Sequence, residues 1–321
     1  MHFTRSVLTL ASAGLVMSQR PTNMSICDYY TTALLKNNTG ANQLAVLTLV
    51  VNTAVIGNYT TPNVGIKVDG ILAPGMYNGT EVNLLPYFNG DLKSTNRGGN
   101  AGVSVNFLDG GGADPLKKNM AANDNTSHQY FLLTHLYEFF GALLGCSQYG
   151  MNGFPAYDGQ TSMAKVHKFM DLGPNELGYF VQQVAMSAAS FGVAKEDLEM
   201  VGMALNQLFG LRCSPPAAAV PPTDKELQAI CIKDTCPLSP NPVCDQYGAA
   251  VAPVPNSTTP ATSSGMPQST SGSMTGSMTN SMTATMTNSM TGPPSAVPTA
   301  GAAVHGVSAA ALAAAFAALL A

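Results

Sequence analysis

The stretch from Ser127 to Gly145, SHQYFLLTHLYEFFGALLG, is decisive for the fold class because its apolar side chains recur three or four residues apart. Residues with that spacing share one side of an α-helix, and such a face packs against other apolar elements. The pattern therefore predicts a core helix with one histidine on its packed face. The residues of this stripe are Leu132, His135, Leu136, Phe139 and Leu143.

Four further segments have the same periodicity: ICDYYTTALLKN, NQLAVLTLVVNTAVIG, NELGYFVQQVAMSAASFG and KEDLEMVGMALNQLFG. Pro174 is expected at a helix start, and Glu196 and Asp197 in the first turn of the last helix. Residues 58–127 are instead rich in Gly, Asn and Pro, with only short alternating pieces such as VGIKV and GVSVNFL. The sequence predicts a mainly α fold for residues 19–212, with a long irregular insertion at about 58–127.

Both ends of the chain carry the pattern of processing signals. Arg5 precedes an apolar run that is too short to span a bilayer, which predicts a secretory signal peptide over residues 1–18. Residues 301–321 form an uncharged apolar tail after small residues, the layout of a GPI-anchor signal that is removed on maturation. The alternative is a C-terminal membrane helix, but the segment is Ala-rich and no basic residue follows it. We expect an extracellular protein, GPI-anchored to the plasma membrane or cell wall, with cell-wall polysaccharide as a candidate partner.

The six cysteines would remain after both processing steps and predict three disulfides in an oxidising compartment. Six cysteines can pair in 15 ways, and the sequence does not choose among them. Zinc is the rival ligand, but no histidine lies near the last three cysteines, whose spacing matches no common zinc module. We expect residues 213–246 to form a disulfide-tied extension of the helical core. The cysteines are Cys27, Cys146, Cys213, Cys231, Cys236 and Cys244.

Residues 247–300 consist almost wholly of Ser, Thr, Pro, Gly, Ala and Met, which predicts a disordered stalk. Five methionines recur every fourth residue from Met274 to Met290 and could hold Cu(I) through their thioethers. The alternative is a low-complexity repeat whose Ser and Thr residues carry O-linked sugars. Six acceptor sequons also predict N-glycosylation, at Asn23, Asn37, Asn58, Asn78, Asn125 and Asn256.

The composition argues against several classes of function. The formal net charge is −4 and basic residues are scattered, so nucleic acid is not expected as a partner. The glycine runs NRGGN and DGGGAD lack the Lys-Ser/Thr ending of a phosphate-binding loop. The G-x-S-x-G elbow of a hydrolase does not occur. Glu138 follows His135 by three residues but on a neighbouring face, so we expect it to be solvated.

Three histidines remain after the predicted processing: His128, His135 and His167. His167 shares an apolar helical face with Met163 and Met170 in SMAKVHKFM. A single histidine in that position is more often a core residue than a ligand. Two imidazoles in one small apolar domain nevertheless suit haem iron.

The segments HLYEFFGALLGC, YDG and SMAKVHKFMDLGPNELGYFVQQVAMSAASFGVAKEDL resemble the C-terminal half of the truncated haemoglobins, and LLPYFNGDL is similar to their FFNG segment. The resemblance covers about residues 26–212, and its specific part is Leu132 to Leu205. It implies a truncated-globin-like helical core with His167 as the proximal haem ligand. It also implies that His135 is the distal partner, either as a sixth ligand or as a hydrogen-bond donor. The pocket walls that it implies are Phe88, Phe139, Phe140 and Met163.

The chain departs from that family on the distal side. Val50 or Val51 stands where a tyrosine usually donates to bound oxygen, and Leu132 replaces a glutamine. Few donors would stabilise the partial negative charge of bound oxygen. The resemblance therefore implies a surface haem protein that handles oxygen, nitric oxide, peroxide or haem itself, and any enzymatic activity would be haem-dependent redox chemistry. The alternative is a non-catalytic structural or adhesive surface protein without a cofactor.

Overall fold

The computed structural model describes residues 20–60, 63–220 and 224–257. The predicted signal peptide, the methionine repeat and the predicted anchor signal lie outside the described residues. Within them the chain forms eight helices, three of which are single turns. The helices are α1 (Ile26–Leu35), α2 (Gly40–Ile56), α3 (Leu85–Phe88), α4 (Ala113–Leu116), α5 (His128–Leu143), α6 (Met163–Val166), α7 (Pro174–Ser190) and α8 (Lys195–Phe209).

The starts of the long helices follow from their local sequence. The side chains of Ser25, Thr39 and Ser127 each accept a hydrogen bond from a backbone N–H in the first turn of the helix that follows. Pro174 begins α7, where its missing N–H costs no helical hydrogen bond. The five predicted helical segments are confirmed as α1, α2, α5, α7 and α8.

These helices enclose one apolar core. α2 is central because it contacts α1, α5 and α7, while α8 contacts α7. No single helix in the described residues is long and apolar enough to cross a membrane. The pair α1 and α2 passes that test together, but the two are bent by 93° and a large part of α2 is buried in the core.

The prediction of a mainly α fold is wrong in part, because the insertion contains β structure. Strand β1 (Gly75–Tyr77) pairs antiparallel with β2 (Thr80–Val82). A second, antiparallel sheet has the order β4-β3-β5, formed by β3 (Asn89–Thr95), β4 (Val103–Asn106) and β5 (Val254–Pro255). The domain is therefore mixed α/β, with a helical core and small antiparallel sheets beside it.

A two-residue turn explains the first hairpin. Asn78 and Gly79 join β1 to β2, with φ values of 50° and 76°. Positive φ at both central residues defines the type I′ turn, which matches the twist of paired strands and favours Asn-Gly. The hairpin was therefore encoded in the insertion that the sequence pattern predicted to be irregular.

All six cysteines form disulfides, as predicted. The pairs are Cys27–Cys146, Cys213–Cys244 and Cys231–Cys236. The first joins α1 to the segment after α5, and the other two lie within the C-terminal extension. Three disulfides indicate an oxidising, extracellular or secretory environment.

The C-terminal extension continues beyond its predicted end at residue 246. The Tyr247 hydroxyl donates to the carbonyl oxygen of Ser214, over 2.8 Å. Further on, β5 pairs with β3 in the register Lys93 opposite Val254. The first ten or so residues of the segment predicted as stalk are thus part of the folded unit in this structure.

Candidate functional site

The short helix α6 presents His167 at its C-terminal end and is held in place by the C-terminal extension. The Ser162 hydroxyl caps the helix and donates to the carbonyl oxygen of Leu227, over 2.8 Å. The backbone N–H of Met163 donates to the side-chain oxygen of Gln228, over 3.2 Å. Gln228 is 1 % exposed, so this attachment is shielded from water.

The imidazole of His167 is oriented by its own helix. Its Nδ1 lies 2.8 Å from the carbonyl oxygen of Met163, one turn earlier. A carbonyl can only accept, so Nδ1 carries the proton and Nε2 is left with its lone pair. Within the described residues Nε2 makes no hydrogen bond. Burial lowers the pKa of His167, which keeps the ring neutral, although the residue remains only half-buried. A neutral imidazole whose other nitrogen is anchored to the backbone is the usual form of a metal-ligating histidine.

The insertion contacts the same region. The Tyr87 hydroxyl donates to the carbonyl oxygen of Met170, over 3.3 Å, which brings α3 close to the residues that follow His167. The Asn96 side chain donates to the carbonyl oxygen of Lys165, over 2.7 Å. Phe88, the wall residue that the resemblance implies, is half-buried on α3 against the apolar core. The α6 segment therefore lies between the insertion and the C-terminal extension.

His135 has a different environment. Its Nε2 lies 3.0 Å from a carboxylate oxygen of Asp158, and its ring meets the ring of Tyr157 edge-on at 5.4 Å. Asp158 is 87 % exposed and the His135 side chain 34 %. One ring nitrogen of His135, Nε2, is thus engaged with a surface carboxylate in this structure.

Glu138 is buried, and the expectation that it is solvated is wrong. The residue is 9 % exposed, because the loop that carries Tyr149 and Tyr157 folds over this face of α5. Its Oε2 has no hydrogen-bond partner. Burial, reinforced by the nearby charge of Asp158, raises the pKa of Glu138 to about 7. Burying a carboxylate without a hydrogen-bond partner destabilises the folded state, so the burial of Glu138 needs a physical explanation.

The remaining predicted residues are distributed over the core. Phe139 contacts the rings of Phe140, Tyr157 and Phe209, at centroid distances of 6.3, 5.7 and 6.1 Å. Met163 is buried and contributes the carbonyl that anchors His167. His128, at the start of α5, pairs instead with Asp109 over 2.7 Å.

Two cavities bear on cofactor binding. The first has a volume of about 80 Å³, is almost wholly apolar and lies among α1, α2, α5, α7 and α8, with Phe140 on its wall. The second has about 310 Å³ and lies between the β1–β2 turn, α7, α8 and the extension, with Asn78 and Asn206 on its rim. Neither is lined by His167 or His135. Pockets for cofactor-sized ligands typically measure roughly 300–1,000 Å³, so the apolar cavity is too small for haem.

One of these observations supports haem binding and another opposes it. The donor chemistry of His167 fits an iron ligand, since a neutral imidazole offers Nε2. Neither of the two cavities described above offers a haem-sized apolar space beside His167. In comparisons with known proteins, the chain matches no protein family, no curated protein and no solved structure.

Sequence reasoning missed the partner of His135. Asp158 lies in the YDG turn, 23 residues away from His135, and no periodicity connects the two. The His-x-x-Glu spacing of His135 and Glu138 was visible, and residues three apart on a helix are neighbours. What the spacing does not reveal is the loop that covers Glu138.

Proposed function

We propose that this chain is a secreted surface protein that binds haem through Nε2 of His167, within a globin-like helical shell. Haem, when bound, would supply an iron centre for a diatomic gas or a peroxide. The chain's part is to orient the imidazole and to surround the iron with apolar side chains. Phe88, Phe139, Phe140 and Met163 stay as the proposed wall residues, and the GPI anchor as the proposed attachment to the cell surface.

The observation that carries the proposal is the hydrogen bond from Nδ1 of His167 to the carbonyl of Met163. It fixes the tautomer and the ring orientation, and it leaves Nε2 as an unprotonated donor atom. The order of long helices around a shared core is compatible with the globin-like resemblance. His135 is omitted as an axial ligand here because its Nε2 already contacts Asp158.

Haemin titration of the purified protein, produced through a secretory pathway so that its disulfides form, tests the proposal. We expect a Soret band that saturates at one haemin per chain in the wild type and is lost in His167→Ala. His128→Ala is the matched control, because His128 is a half-exposed histidine paired with Asp109, and its Soret band should equal that of the wild type. Thermal unfolding must show that His167→Ala folds. A band of equal strength in His167→Ala would contradict the proposal.

A cofactor-free structural or adhesive protein is the second candidate, and the cavity volume favours it. The apolar cavity in the core measures about 80 Å³, and neither of the two cavities described above is lined by His167. On this account His167 serves only to cap α6 through its bond to Met163. Absence of any saturable haemin binding, with a folded protein in the same buffer, would favour this reading.

A further inference from the structure

Three potential ligand atoms converge where α5 meets the loop after it. The imidazole of His135 and the carboxylates of Glu138 and Asp158 each offer one atom, and these atoms all lie within 4.8 Å of one another. One of these separations is 3.0 Å, from Nε2 of His135 to an oxygen of Asp158. Ligands that share a tetrahedral ion at bond lengths of about 2.1 Å lie about 3.4 Å apart, so only small adjustments are needed.

The burial of Glu138 distinguishes this cluster from a group of exposed side chains on the surface. The residue is 9 % exposed and its Oε2 is buried without a hydrogen-bond partner. Among the described residues, no Lys or Arg lies within 4.0 Å of Glu138 or Asp158. A buried carboxylate that lacks both a donor and a cation retains the coordination capacity that a metal ion would use.

The cluster is also positioned by its surroundings. The backbone N–H of Tyr157 donates to the Tyr149 hydroxyl, over 2.7 Å, which fixes the residue immediately before Asp158. The Tyr157 ring packs against the imidazole of His135. The disulfide Cys27–Cys146 ties the start of this loop to α1. Ligands held by surrounding contacts bind metal more tightly, because less freedom is lost on binding.

We propose that His135, Glu138 and Asp158 form a binding site for a divalent first-row transition metal ion, with Zn²⁺ as the reference case. One imidazole and two carboxylates are the nitrogen and oxygen donors that such ions accept, and their two negative charges balance the ion. The exposed side of Asp158 leaves room for a water molecule as the fourth ligand. Ca²⁺ is disfavoured because it takes six to eight oxygen ligands.

This site is separate from the haem proposal in residues and in chemistry. It uses none of the residues proposed to hold haem, and it assigns His135 to a metal ion instead of to the distal side of iron. Its failure would leave the haem proposal in place, and the reverse also holds.

Zinc titration of the metal-free, untagged protein tests the site, with binding followed by calorimetry and by the melting temperature. We expect one Zn²⁺ per chain and a rise in melting temperature, with no such rise at equal concentrations of Ca²⁺. Glu138→Gln and His135→Gln should each weaken zinc binding at least about tenfold. His128→Gln is the matched control, because His128 also contacts a carboxylate but without a buried third ligand. It should bind zinc as the wild type does, and so should His167→Ala.

Cobalt provides a second readout, because its visible spectrum reports the ligands of the bound ion. Co²⁺ in the wild type should give visible d–d bands that shift or vanish in His135→Gln, because the imidazole nitrogen is lost. Melting curves of the metal-free variants establish that they fold. The proposal is overturned if the wild type binds no Zn²⁺ at 1:1, or if Glu138→Gln and His135→Gln, both folded, bind it as tightly as the wild type.

Discussion

The sequence predicts similar apolar helical faces around His167 and His135, yet the structure gives the two residues different surroundings. His135 lies within α5, whereas His167 directly follows the single turn α6, which ends at Val166. His167 is anchored through Nδ1 to a backbone carbonyl, its pKa is lowered by burial, and it has no carboxylate partner among the described residues. His135 contacts the exposed carboxylate of Asp158 and lies beside the buried carboxylate of Glu138. An imidazole beside a neutral carbonyl suits haem iron, whereas one beside two carboxylates suits a hydrated divalent ion. The group that contacts each imidazole, and not the apolar pattern of the sequence around it, determines which ligand the histidine suits.

The largest expected difference between the two regions lies in their disulfides. Cys27–Cys146 closes a loop of 119 residues and holds the loop of Asp158, whereas Cys231–Cys236 spans 5 residues in the extension that holds α6. From loop-closure entropy, we expect replacement of Cys27 and Cys146 by alanine to lower the free energy of unfolding by about 5 kcal/mol. Replacement of Cys231 and Cys236 by alanine should lower it by about 2 kcal/mol. Urea unfolding of the two double variants measures both. Equal losses would show that loop closure does not govern these bonds.

The second prediction concerns Glu138 in the metal-free protein. Its pKa is about 7 when folded, against an ordinary value near 4.5 when unfolded. Between these values the folded state holds a proton that the unfolded state has lost, so stability falls as the pH rises from about 4.5 to 7 and stays lower above. Glu138→Gln remains neutral and should be more stable than the wild type by about 3 kcal/mol at pH 8, but not at pH 4.5. Urea unfolding at both pH values, in the presence of a chelator, measures the difference. If the variant and the wild type differed in free energy of unfolding by the same amount at both pH values, the burial of this carboxylate would be contradicted.

The third prediction has the opposite sign and a smaller size. Burial lowers the pKa of His167, while its bond to the carbonyl of Met163 opposes that shift. As the pH falls below about 6.5, the unfolded histidine gains a proton before the folded one does, so the wild type loses stability. His167→Gln should lack this loss, which unfolding curves between pH 7.5 and 5 would measure. If the wild type instead gained stability relative to the variant on acidification, the ring would have an acidic partner.

Much of the helical core could be predicted from the sequence, because the 3.6-residue period and the capping residues are local signals. The stripe on α5 and the start of α7 at Pro174 are examples. The number of disulfides also followed from the number of cysteines. The pairing did not, because it depends on which loops meet in space.

The errors have physical causes that can be named. The Asn78–Gly79 turn is a strong hairpin signal, but its flanking strands have three residues each and little alternation. β5 is formed by a segment that composition assigns to a stalk, and its pairing with β3 depends on a strand more than 150 residues earlier. The burial of Glu138 depends on a loop that folds back over α5. Each is a long-range effect that a local pattern does not contain.

Among the six predicted glycosylation sites, Asn256 is also affected by a long-range contact that its local sequence does not reveal. Asn23, Asn37, Asn58, Asn78 and Asn125 are exposed and accessible to a glycan. The side-chain amide of Asn256 instead donates to the carbonyl of Gly90 and the hydroxyl of Ser104, over 3.2 and 3.0 Å. A sugar on that nitrogen would compete with both bonds, so glycosylation at this site and the docked β5 strand are in conflict.

Loading the same three proteins with haemin and, separately, with Zn²⁺ tests the contrast between the two histidines most directly. The proteins are the wild type, His167→Ala and His135→Gln, and the readouts are the Soret absorbance and the zinc stoichiometry. We predict that His167→Ala loses haemin and keeps zinc, while His135→Gln keeps haemin and loses zinc. A single variant that abolished both ligands while remaining folded, or a Soret spectrum that required both rings, would contradict the account.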